Sequence, residues 1–188
     1  MKRGVLPGGP KLGVSYDRSN TPYVLLNGRE ADVPPPSRET LDASIRKAAD
    51  FLLKEQNRDG SWGNHTRTKG LNVLCPYPEG PRSFRTASTS LCVIGLLTSP
   101  LKEDPTVKAS LDKALQYLLT TLPTLKRGDT RTVLGVWGHA YGLSALSRAA
   151  RNLPADAPLR EELKKVASLQ VKALDQMADV QGGWGYYT

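Results

Sequence analysis

The chain has 188 residues, enough for one domain with a real core and too few for two of ordinary size. Hydrophobic residues make up 39% of it, 17 glycines and 14 prolines lower its core-forming content, and the net charge is +8. Two cysteines, Cys75 and Cys92, cannot build a disulfide framework. The opening MKRGVLPGGPKLG lacks an apolar signal-peptide core, and no apolar run approaches a membrane span. These features point to a soluble or peripheral protein; the compartment stays open, with a reducing one, the cytoplasm, favoured.

A basic balance invites nucleic acid, an anionic membrane surface or a phosphorylated substrate, against the plain alternative of a solvated basic surface. The basic residues are scattered (Arg82 and Arg85, Lys126 and Arg127, Lys164 and Lys165), and no run interleaves them with aromatics. Nucleic acid is therefore not expected as a partner, while peripheral membrane contact stays open.

Residues 1–37 read as a Pro/Gly-rich arm outside the core. It has a short hairpin around Tyr23–Leu26, a turn at Asn27-Gly28 and an extended linker at Pro34-Pro35-Pro36. From Ser37, an N-cap residue, Leu41, Ile45, Ala48, Ala49 and Leu52 recur at helical spacing. Residues 85–98 and 138–151 are dominated by small and apolar residues, as in helices buried on most sides. Between them Asp104-Pro105 opens an amphipathic helix that Pro123 ends. A last amphipathic helix follows Asp156, with Leu159, Leu163, Val166, Ala167, Gln170 and Met177 in register, and Gly182-Gly183 stops it. Amphipathic and buried helices alternate, as two concentric layers require, and no strand signal competes after residue 37. The expected fold is all-α with about five helices.

All three tryptophans share one frame: Gly60-Ser61-Trp62-Gly63, Gly135-Val136-Trp137-Gly138 and Gly182-Gly183-Trp184-Gly185. Upstream of the first, Lys47-Ala48, Phe51-Leu52 and Gln56 complete the pattern K/R-G/A-x-x-aromatic-aliphatic-x-x-x-Q-x-x-x-G-x-W. The second copy keeps Lys113-Ala114 and Tyr117-Leu118 but has Leu122 in place of the glutamine. The third keeps only the G-x-W end, with Gln176 and Gln181 out of spacing. This pattern resembles the QW motif of the squalene cyclase and protein prenyltransferase α/α-toroid superfamily. The resemblance implies that residues 38–188 form an incomplete toroid of outer and inner helices. It also implies a structural role for the motif residues: the glutamine ties down the backbone at the next inner helix, and the tryptophan stacks over it.

The chemistry of that superfamily is not visible in the chain. There is no D-x-D-D for alkene protonation and no D-D-x-x-D for magnesium diphosphate. His65, Cys75, Cys92 and His139 are too dispersed for a zinc site, and no metal or cofactor is expected. Cys92 reads as a small core residue. The candidate ligand residues are Arg82, Arg85, Trp137, His139 and Tyr141. The inner helices would aim His139 and Tyr141 at a central cavity, with the arginines able to meet an anionic or isoprenoid ligand near a positive helix end. A capping histidine and solvated arginines are the plainer alternative.

Two helix pairs and one further outer helix do not close a ring. The open edge is expected to be covered by self-association or by the missing part of the toroid. The expected function is a non-catalytic binding or scaffold module. The alternative is the N-terminal part of a terpenoid cyclase or prenyltransferase-like enzyme whose catalytic residues lie beyond residue 188.

Overall fold

The structure is a computed structural model that describes residues 13–16, 22–26, 29–31, 36–63, 79–126, 135–180 and 182–184. The chain divides into two compact units, residues 1–43 and 44–188. In the first, β1 (Gly13–Tyr16), β2 (Pro22–Leu26) and β3 (Arg29–Ala31) form an antiparallel meander in chain order. The hairpin expected around Tyr23–Leu26 is thus the middle of three strands, with Val24 opposite both Val14 and Ala31. Leu26 pairs with Arg29, the spacing that a two-residue Asn-Gly turn serves. Asn27 and Gly28, like Pro34 and Pro35, lie outside the described residues.

From residue 36 onward every described residue is in a helix or a connection, so this part is all-α. It comprises α1 (Arg38–Glu55), α2 (Glu79–Thr98), α3 (Pro105–Thr121), α4 (Gly135–Asn152) and α5 (Pro158–Met177), with a 3-10 turn at Leu122–Thr124. α1 starts as its sequence demands: the Ser37 hydroxyl accepts the Thr40 amide at 3.2 Å, and Glu39 lies in the positive first turn. α3 is capped by Asp104, whose carboxylate accepts the Thr106 amide at 2.9 Å, with Pro105 at the first helical position.

Three boundaries depart from expectation, each near a Gly or Pro, because these residues break a helix only away from its first turn. α2 begins six residues before position 85; Pro81 is accommodated in its first turn, where no intrahelical N–H is needed. α4 begins at Gly135, so the second G-x-W-G is its first turn and not a loop. α5 opens at Ala157-Pro158 and ends at Met177, well before Gly182-Gly183.

Point contacts give the helix directions. Arg82 reaches Thr124 and Arg85 reaches Tyr117, so α3 runs antiparallel to α2. His139 meets Gln170, while Arg160 meets the Leu153 carbonyl, so α5 runs antiparallel to α4. α2 and α4 are parallel: a Cβ on Gly138 would lie 2.9 Å from the Ser83 hydroxyl at one end, and Lys102 reaches Asn152 at the other. α1 runs parallel to α3, joined by Arg46–Asp104 at 3.1 Å and by Gln56–Ser110.

Small residues explain the close α2–α4 approach. Ser83, Thr86, Thr89 and Ser90 are all fully buried on α2. The hydroxyls of Thr86, Thr89 and Ser90 each donate to the carbonyl four residues earlier at 2.8 Å, so their burial leaves no unpaired donor. The core between the helices is built on Val93, Leu96, Leu118, Leu146 and Leu163. α4 is the most enclosed helix, whereas α3 and α5 bury one stripe each. α1 falls short of its expected apolar face. It buries only Ala49, with Ile45 and Leu52 half-buried and Leu41, Ala48 and Phe51 exposed, because its interhelix bonds run along the α3 side alone. Among the described residues no helix is long and apolar enough to cross a membrane.

Candidate functional site

The tryptophan frames are the first place to look, because side-chain bonds concentrate there. After α1 the Asn57 amide donates to the Ser61 carbonyl, and the Gly60 amide donates back to the Asn57 carbonyl, both at 2.9 Å. Gly60 closes this turn with φ of +87°, which a side chain would resist. The Trp62 indole Nε1 then folds back and donates to the Leu52 carbonyl, ten residues earlier, at 2.7 Å.

The same turn is built again after α5, 122 residues further along the chain. The Asp179 amide donates to the Gly183 carbonyl at 2.9 Å, and the Gly182 amide donates to the Asp179 carbonyl at 3.0 Å. Gly182 has φ of +83°, and Trp184 Nε1 donates to the Leu174 carbonyl, again ten residues back, at 2.9 Å. Two of the three tryptophan frames are therefore one structural device. Gly185 lies outside the described residues.

The middle frame is different. Its Gly135 and Gly138 are helical, and the Trp137 ring stacks on Tyr141 one helical turn on, with centroids 5.9 Å apart and planes 19° from parallel. A shared G-x-W-G therefore does not impose a shared turn.

The first turn is tied to two neighbours. The Thr89 hydroxyl on α2 accepts the Trp62 amide at 3.0 Å. The resemblance implied that Gln56 ties down the next buried helix; it binds α3 instead. Its Nε2 donates to the carbonyls of Gly60 (3.0 Å) and Ser110 (2.9 Å), and its Oε1 accepts the Ser110 hydroxyl at 2.8 Å. The reason is geometric: the turn lies against the α3 backbone, where a Cβ on Gly60 would stand only 2.3 Å from the Lys113 carbonyl oxygen. Lys47 and Phe51, the remaining motif residues, are exposed on α1.

The two candidate arginines are both engaged by protein groups. Arg82 pairs with Glu79 at 3.4 Å and donates to the carbonyl and hydroxyl of Thr124, bracketing the start of α2 to the end of α3. Arg85 sits 3.0 Å from Asp59 in the first turn, with its guanidinium 5.7 Å over the Tyr117 ring. Burial raises the Asp59 carboxyl, but bonds from the Ser61 hydroxyl and amide, with Arg85 beside it, offset that and hold it below the ordinary carboxylate value.

His139 is buried at the α4–α5 seam. The Gln170 amide nitrogen donates to the Val166 carbonyl at 3.0 Å, which turns its oxygen towards His139 Nδ1, 2.6 Å away. Nδ1 therefore carries the proton. Burial pushes the imidazole below its ordinary value, against a smaller opposing effect of Gln170, so the ring is neutral near pH 7. Its Nε2 is then an acceptor, buried beside Gly135 and with no hydrogen-bond partner among the described residues. Cys92 is half-buried against the core, and burial pushes its thiol up to about 11. His65 and Cys75 lie outside the described residues.

The structure thus brings Trp137 to Tyr141 and ties each of Arg82, Arg85 and His139 to a different protein partner. Gln170 is a site residue that chemical motifs do not reveal. Its signal was a glutamine in an otherwise apolar stripe. Compared with known proteins, the chain matches no family model and no solved structure.

Proposed function

We propose that residues 38–188 are an α/α-toroid-type repeat scaffold of the squalene cyclase and prenyltransferase kind, and that its work is binding rather than catalysis. The observation that carries this reading is the turn built twice, at Asn57–Trp62 and Asp179–Trp184, at the C-terminal end of an amphipathic helix each time. A device repeated along a chain to fasten helices is what a stacked-repeat architecture needs. The parallel pair α2 and α4, each flanked by an antiparallel amphipathic helix, supports the same reading.

The chemistry-bearing groups support binding over turnover. Asp59 is held ionised by Arg85 and Ser61, which suits a structural ion pair and not a proton donor. His139 is held by Gln170, a neutral partner. Incubating the full chain with squalene or with a prenyl diphosphate, followed by product extraction, is expected to return substrate unchanged. Turnover that disappears in His139→Ala would overturn the proposal.

A further inference from the structure

We draw no further inference here: the strongest candidate, the buried His139 at the α4–α5 seam with its unpartnered Nε2 beside Gly135, belongs to the site already described, and nothing among the described residues shows what that nitrogen would bind.

Discussion

A Cβ on Gly60 would sit 2.3 Å from a backbone oxygen and at a positive φ, while one on Gly182 would meet only the positive φ. The two glycines therefore separate conformational strain from steric conflict. Gly182→Ala is expected to cost about 1 kcal/mol, the penalty of a left-handed backbone alone. Gly60→Ala is expected to cost about 3 kcal/mol or more, because α3 or the turn must also move. Urea denaturation of both variants checks this, and equal losses would mean that the first turn is no more tightly packed than the second. His139 makes a second prediction at this scale. Its folded value is depressed by burial, so the unfolded chain binds the proton more readily. Its stabilising effect is fully present above the unfolded value of about 6.5 and is lost as pH falls from there through the folded value. His139→Asn, which keeps a donor towards Gln170 without a titrating ring, is expected to flatten that acid limb in unfolding midpoints measured from pH 5 to 8.

At the scale of elements, α1 and α4 are opposites. α4 is enclosed by α2 and α5 and buries nine residues, from Gly135 to Ala150. α1 buries one residue and is held through Arg46, Gln56 and the Trp62 turn. Native-state hydrogen exchange is expected to show α1 amides opening at markedly lower free energy than those of α4. Equal protection would mean that the polar ties hold α1 as firmly as apolar packing holds α4. The same contrast explains how far the elements were legible in the sequence. All five helices could be read from spacing, and the N-caps Ser37 and Asp104 from residue type. The starts of α2 and α4 could not, since a first helical turn tolerates the Gly and Pro that break a helix elsewhere. The site was less legible still. Gln56 and Trp62 stood out by pattern, yet their distant partners Ser110 and Thr89 are set by which helices pass the turn.

For the whole molecule, the helices fasten in pairs: α2 with α3 and α4 with α5, the two pairs joined along the parallel seam of α2 and α4. The Trp62 turn ties α1 to both members of the first pair, through Thr89 on α2 and Ser110 on α3. Among the described residues the indole of the Trp184 turn is tied to α5 alone.

The sequence by itself determined the all-α class, the five helices, and the position of the complete motif at Lys47–Trp62. These are local properties, set by periodicity, caps and residue size along a short stretch of chain. Only the tertiary structure decided that the first and last tryptophan frames form one turn while the middle one is a helix start. It also decided that Gln56 binds α3 and that Arg85 closes on Asp59. Each of these depends on which backbone comes within a few ångströms of the residue in space, and a frame of four letters carries no information about that. The G-x-W-G frames marked where the chain turns or starts a helix, and packing determined which of them fasten the fold.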